Sequence, residues 1–401
     1  MPESIVLAFS GGLDTSFLVP WLLERYERPV TTVTVDTGGL DPSARAELAA
    51  RSRAMGASHH ELVDARDDFF NETLSFLVMG NVLRGHLYPL CVGAERTLQA
   101  RKVAMIASQA GAWAVAHGST AAGNDQVRFE VALRVLAPGL EILAPVRDHG
   151  FTREFESNYL KERGHAVSTE RKSYSVNRGL WGCTIGGAET NDTVEPLPES
   201  AWVLSKGAMD LPRADEVHVI SFCRGIPMAV DGVSGTPVEL IERLDALASP
   251  FGIGRGIHLG DTIFGLKGRV AFEAPAATVL ITAHRELEKL VLTGRQQRVK
   301  DQVSAVYGDM VHEALALEPA CRDIEALFIR SQERVTGDVR VSFRRGSLFV
   351  EGVSSPYSMK AASKGVYGEA AGEWTAADAR GFSRMLAIPS MLHVRADKEA
   401  R

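Results

Sequence analysis

The chain has 401 residues, 45% hydrophobic and 23% charged; at roughly 150 residues per domain that means two or three domains and excludes a disulfide-stapled mini-protein. Its 44 Lys and Arg against 50 Asp and Glu give a net charge of −6, so no global field draws it to nucleic acid. The four cysteines (Cys91, Cys183, Cys223, Cys321) are scattered without a CxxC pair, no stretch reaches the length of a membrane span, and the start carries no basic segment before its apolar run; a soluble cytoplasmic protein without disulfides, membrane contact or nucleic-acid partner is expected.

Ile5 to Phe9 is a continuous apolar run ending at Ser10-Gly11-Gly12, the pattern of a buried parallel strand entering a tight turn. Phe17, Leu18, Trp21, Leu22 and Leu23 then recur at helical spacing from about Thr15 to Arg25, and Val30 to Val35 reads as a second strand, completing a βαβ unit. Pro42 to Met55 predicts a helix stopped by Gly56, His60 to Val63 a strand, Glu95 to Gln109 a helix closed by Gly111, and Trp113 to His117 a strand. This alternation predicts a doubly wound α/β domain to about residue 165. Ser173 to Pro198 is dense in Gly, Pro, Asn and Ser and reads as loop. From Val217 a hairpin turns at Arg224-Gly225, helices follow over Val238 to Ala248 and Ala276 to Leu317 with a break near Gly294, and a second hairpin turns at Arg345-Gly346. The second domain is therefore expected to be α+β, and Ala376 to Arg401 a weakly helical tail that packs on a partner subunit or frays.

Ser10-Gly11-Gly12-Leu13-Asp14-Thr15-Ser16 lies where backbone N–H groups and a helix N-terminus face a bound anion. It has neither the Walker lysine nor G-x-G-x-x-G. Asp14 beside an anion site repels phosphate unless a cation intervenes, which points to a magnesium-bound triphosphate or pyrophosphate. The plainer account, a Ser/Gly turn capping a helix, suits a bare SGG but not the whole run after a first strand.

The loop resembles that of the N-type ATP pyrophosphatases, and nearly the whole chain resembles the argininosuccinate synthase family. The most specific block is His117-Gly118-Ser119-Thr120-Ala121-Ala122-Gly123-Asn124-Asp125-Gln126-Val127-Arg128-Phe129-Glu130, similar to the family's H-G-x-T-G-K-G-N-D-Q-V-R-F-E. Ser173-Tyr174-Ser175 with Leu180-Trp181-Gly182, Gly252 to Arg255, Ala283-His284 with Leu287-Glu288, and Ser331 to Val335 fall in the family's order. The resemblance implies a Rossmann-like ATP-binding domain over 1–165, an α+β synthetase and acceptor-binding domain over 166–365, and a C-terminal tail over 366–401 that serves as an oligomerisation arm in a homotetramer. It implies a ligase: the ureido oxygen of an acceptor attacks the α-phosphate of ATP, with Mg2+ as cofactor, and L-aspartate then displaces AMP. By resemblance Ser10, Gly11, Gly12, Asp14, Thr15, Ser16, Val35 and Gly118 hold ATP; Thr120, Asn124 and Asp125 hold aspartate; Tyr88, Asn124, Arg128, Ser175 and Thr184 face the acceptor; and Asp14, Asp125 and Arg128 take part in catalysis. The Arg128 guanidinium is suited to fork onto a carboxylate. His117, ending an apolar strand, reads as a packed histidine rather than a base, and the metal ligands are unknown.

The acceptor side departs from the family pattern. Where the family has Y-P-L-x-T-S-L-A-R-P, this chain has Tyr88-Pro89-Leu90-Cys91-Val92-Gly93-Ala94-Glu95-Arg96-Thr97, so a citrulline-contacting serine is Gly93. In the stretch resembling G-R-x-D-x-V-E-N-R-x-x-G-x-K-S-R-x-x-Y-E-x-P, Gly260 replaces the glutamate, Phe272 the tyrosine and Ile257 the aspartate, while Asp261, Lys267, Arg269 and Glu273 are present. Asn177-Arg178-Gly179 replaces an acidic D-E-N run, and Ala121-Ala122 a Gly-Lys pair. Removing such contacts together leaves citrulline's polar head unpaired at roughly 1–3 kcal/mol per group. The expectation is an ATP- and aspartate-using ligase whose acceptor is not citrulline itself. The alternatives are a true argininosuccinate synthase with Arg84, His86 or Asp261 standing in, and a non-catalytic nucleotide-binding regulator. A tRNA-modifying or sulfur-transferring enzyme is disfavoured by the isolated cysteines and the negative charge.

Overall fold

The computed structural model describes residues 3–166, 173–210 and 212–399. Ile5–Ala8 forms β1, and its side chains alternate between two packed layers: Ile5 and Leu7 join Phe17, Leu18 and Leu22 on one face, Val6 joins Val103, Ala104 and Leu133 on the other. With helices on both faces, β1 is buried from Ile5 to Leu7, which is why its sequence is continuously apolar. The other strands of this sheet are β2 (Val30–Asp36), β3 (His59–Asp64), β4 (Ala114–Ala116) and β5 (Glu141–Leu143), in the order β3-β2-β1-β4-β5 and all parallel. The order reverses between β1 and β4, and ligands of such sheets bind outside the strand C-termini at that switch.

The region expected as loop is corrected by the structure: Ser175–Gly179 (β6) and Gly182–Gly186 (β7) pair as a hairpin. These strands are short and β6 is exposed along most of its length, so no hydrophobic period marks them. Gly182, with φ of 115°, allows the turn after Trp181, whose buried indole donates to Pro89 O at 2.9 Å. Glu216–Cys223 (β8), Ile226–Val230 (β9) and Val233–Ser234 (β10) follow, then Arg255–Asp261 (β11) and Lys267–Glu273 (β12), strands hidden in sequence by Gly256, Gly260 and Gly268. Gly337–Arg344 (β13) and Ser347–Ser354 (β14) complete two antiparallel sheets, β10-β9-β8-β13-β14 and β11-β12-β7-β6.

The helices Pro275–Val291 and Gly294–His312, with Asn81 and the turn at Gln332 that follows the helix Pro319–Ser331, carry a buried polar network. His284 bonds Asn81 at 2.6 Å and Gln332 at 2.8 Å, Gln332 and Asn81 donate to Glu288, and the Lys300 ammonium lies 2.8 Å from the same carboxylate. Phe69, Phe70, Leu74, Leu77, Val78 and Leu98, which precede β4 in the chain, pack in this second core with Ile220, Leu287 and Phe328. The last helix, Ala376–Glu399, is exposed at every residue through Lys398, including Phe382, Met385 and Leu386.

Candidate functional site

A cleft of about 450 Å³ opens at the C-terminal ends of β1, β2 and β4, with β6 as its far wall. It is lined by Ser10, Asp14 and Thr15, by Val35, Asp36 and Thr37, by His117 and Gly118, by Glu95, Arg96 and Asp125, and by Asn177 and Arg178. Gly12 begins the helix Leu13–Tyr26 and Gly123 begins the helix Asn124–Leu136, each without a side-chain cap, so both leave N-terminal amides free for an anion. Gly11 has φ of 71°, and a Cβ there would lie 2.3 Å from Leu48 Cδ2. Arg51 donates to Gly11 O at 2.8 Å and Ser10 Oγ lies 3.3 Å from Thr15 Oγ1, fixing the turn. Gly118 lets β4 end against the loop, since a Cβ there would meet Thr15 Cγ2 at 3.1 Å.

Asp125 is clamped by two guanidiniums, Arg96 Nε at 3.0 Å and Arg128 Nη1 at 2.9 Å. Burial alone would raise its carboxyl, but the two arginines outweigh it and hold the group below the usual carboxylate range. Arg128 is buried, and its fork is already closed: Nε donates to His312 O at 3.0 Å and Nη2 lies 3.2 Å from His312 Nδ1. Asn124 Oδ1 accepts from Ile263 N at 3.0 Å, tying this helix start to the β11–β12 turn. Thr120 is exposed in the preceding loop. His117 is brought down to about 4 by burial and by Arg147, so it is neutral at physiological pH, with Nδ1 accepting from Ser119 N. Glu156, buried behind the loop, is pushed up to about 8 by burial and by the neighbouring Asp14 carboxylate.

Ser10, Asp14, Thr15, Val35, Gly118 and Asp125 thus line one cleft, with Arg128 and Asn124 joined to it through Asp125 and its helix. Tyr88 lies deeper: its hydroxyl donates to Cys91 O at 2.5 Å, its ring stacks on His258 and packs 5.1 Å from Phe272, and Phe272 pairs in register with Thr184. Ser175 is at the exposed start of β6, opposite Gly186 and apart from that group. The replaced positions are filled by their neighbours. A Cβ on Gly260 would lie 2.4 Å from His258 Nε2 and 3.1 Å from Arg84 Nη1, one on Gly256 would enter the Phe272 ring, and Arg128 lies over Gly93. Two cleft residues are not among the expected site residues: Arg96, the clamp on Asp125, which matches the arginine of the family's L-A-R, and Glu95 beside it, which takes the place of the alanine.

Residues 4–166 match the model of the arginosuccinate synthase N-terminal HUP domain, and residues 174–393 that of the arginosuccinate synthase C-terminal domain. The chain belongs to the argininosuccinate synthase family. Family membership makes it an ATP-dependent carbon–nitrogen ligase that forms AMP and diphosphate. Similar proteins named argininosuccinate synthase include those of Pyrobaculum aerophilum (39% identical over 99% of each chain), Methanocaldococcus jannaschii (38% over 90% of each) and Xanthomonas campestris (36% over 99% of each). The family's His284, Glu288 and Gln332 matches form the buried network of the second core and lie outside the cleft. Glu273 is likewise structural: its carboxylate accepts from the amides of Val203, Leu204 and Ser205. Among the described residues no helix is long and apolar enough to cross a membrane, and no group of three or more His, Cys, Asp or Glu is placed to hold a metal.

Proposed function

We propose that this chain joins the amino group of L-aspartate to the ureido carbon of citrulline, consuming ATP, as a homo-oligomer in which the Ala376–Glu399 helix reaches a neighbouring copy. The observation that carries this reading is the single cleft shared by the uncapped phosphate loop and the Arg96–Asp125–Arg128 clamp, in a chain 36–39% identical to proteins named argininosuccinate synthase. The loop amides with the Ser10 and Thr15 hydroxyls hold the phosphates, and Val35 and Gly118 flank the nucleotide. A magnesium ion held by Asp14 would supply charge neutralisation for the pyrophosphate. Asp14, the carboxylate of the loop, suits an ion that takes one or two carboxylates besides phosphate oxygens and water. Thr120 and Asn124 donate to the aspartate carboxylates, Asp125 accepts from its ammonium, Arg128 holds Asp125 in place, and Asn124 and Thr184 face the acceptor above the buried Tyr88 ring. The ureido oxygen attacks the α-phosphate while the free helix amides stabilise the departing charge; aspartate nitrogen then displaces AMP. AMP and diphosphate release from Mg-ATP and aspartate should depend on added citrulline, and silence with citrulline rejects it as the acceptor.

A second reading keeps ATP and aspartate and replaces citrulline by an acceptor without its ammonium group. It is favoured by Gly260, which carries no carboxylate where the family pattern has a glutamate and is flanked by Arg84 and His258 instead. 5-Ureidopentanoate, which is citrulline lacking only that group, separates the two. This second reading expects it to exceed citrulline in kcat/KM by more than about tenfold, whereas equal or better turnover of citrulline rejects it.

A further inference from the structure

Glu95 stands in the turn before the helix Arg96–Gln109, only 3% exposed, in the wall of the cleft. Thr37, just past β2, donates to its Oε2 at 2.7 Å, and Arg96 Nη1 donates to its Oε1 at 3.1 Å. The same guanidinium holds Asp125 through Nε, so one arginine bridges two carboxyl groups that both line the cleft. Gly179, the buried end of β6, packs directly against this carboxylate: a Cβ there would lie 2.3 Å from Glu95 Oε2. Glu95 therefore fills space that a side chain on β6 would take. In the family pattern this position is the alanine of L-A-R, and the opposite strand carries D-E-N where this chain has Asn177-Arg178-Gly179. The acidic group has moved from the hairpin wall to the wall that holds Arg96.

The charged and titratable groups facing Glu95 are Asp36 from β2, Arg96 from its own helix, Asp125 from the helix Asn124–Leu136, Arg178 from β6, and Tyr88 and Cys91 from the preceding segment. Burial outweighs Arg96 and Thr37 and pushes the Glu95 carboxyl up to about 7, while Asp125 stays ionised. Two carboxyls on one arginine are thus separated into a fixed anion and a group able to exchange a proton at neutral pH.

We propose that Glu95 is the base that accepts the proton of the aspartate α-ammonium, a role that rests on the ligase reading above. The ammonium N–H bond breaks and its proton passes to the Glu95 carboxylate. The freed nitrogen lone pair forms the bond to the ureido carbon of the adenylated acceptor. The carbon–oxygen bond to AMP then breaks, its electron pair leaving with the phosphate. The excess proton on the new C–N nitrogen passes to that phosphate, leaving a guanidinium product.

The test is Glu95→Gln, which keeps the shape and removes the base, measured in two half-reactions with citrulline and with 5-ureidopentanoate. Acceptor-dependent ATP–pyrophosphate exchange without aspartate reports adenylation; product formation with aspartate reports the second step. The loss should be confined to the aspartate-dependent step, at about 10²–10⁴-fold, and the rise of kcat with pH through neutrality should vanish. Glu95→Asp should restore that rise at a lower rate. Equal losses in both half-reactions, or an unchanged pH profile in Glu95→Gln, would overturn the proposal. A wild-type enzyme without exchange on either acceptor removes the ligase reading and the proposal with it, a result distinct from an intact exchange that ignores Glu95.

Discussion

Gly11 and Gly12 are neighbours with different reasons to be glycine. Gly11 sits in the left-handed region with Leu48 where a Cβ would go, whereas Gly12 has φ of −69° and would meet only Ser10 Oγ at 3.5 Å. Gly11→Ala should therefore weaken Mg-ATP binding by about 5- to 150-fold while Gly12→Ala changes it little, since strain of about 1–3 kcal/mol falls on the first alone; calorimetric titration with Mg-ATP reads both. Asp125→Asn removes the anion that two guanidiniums share, and aspartate-dependent kcat/KM should fall about 10²-fold or more. Much of this was legible in sequence, because a strand, a glycine turn and a helix N-terminus are local features. Glu95 was not legible: its meaning depends on Gly179, remote in the chain and brought to it only by the fold. The two are coupled, so Gly179→Asn alone should cost more stability than Gly179→Asn with Glu95→Ala, a non-additivity that denaturation of the single and double variants measures directly.

At the scale of elements, β1, the helix after it and the two long helices broken near Gly294 follow from apolar periodicity in the sequence. The β6–β7 and β11–β12 hairpins do not, because glycines interrupt them and their stability comes from pairing with one another. The matches at His284, Glu288 and Gln332 were visible as family signatures, yet only the packing reveals that they satisfy one another inside a core. Lys300 belongs to the same network and is buried, its ammonium held down mainly by burial against the pull of Glu288. Lys300→Met leaves the Glu288 carboxylate without its cation and should destabilise the chain by about 3–5 kcal/mol, seen as a lower urea midpoint; adding Glu288→Leu should recover part of the loss. The Ala376–Glu399 helix poses the opposite case, an element with apolar residues and no core of its own. A chain ending at residue 365 should keep its far-UV spectrum per residue in the sheets and lose mass of assembly in light scattering; an unchanged assembly would remove the arm from the oligomer.

Across the whole molecule, the cleft has walls from the parallel-sheet segment and from the β6–β7 hairpin, which are tied together where Leu180 N donates to Thr37 O at 3.0 Å and Trp181 reaches Pro89. The apolar residues between Phe69 and Leu98 face the second core, so the first sheet's segment cannot satisfy its own hydrophobic surface. Their packing also carries a cost in time during synthesis. Leu98 leaves the ribosome 230 residues before Phe328, its partner in that core, an interval of roughly 10–50 s at about 5–20 residues per second. Over that interval the finished parallel sheet displays an unburied apolar flank, a natural binding surface for a nascent-chain chaperone.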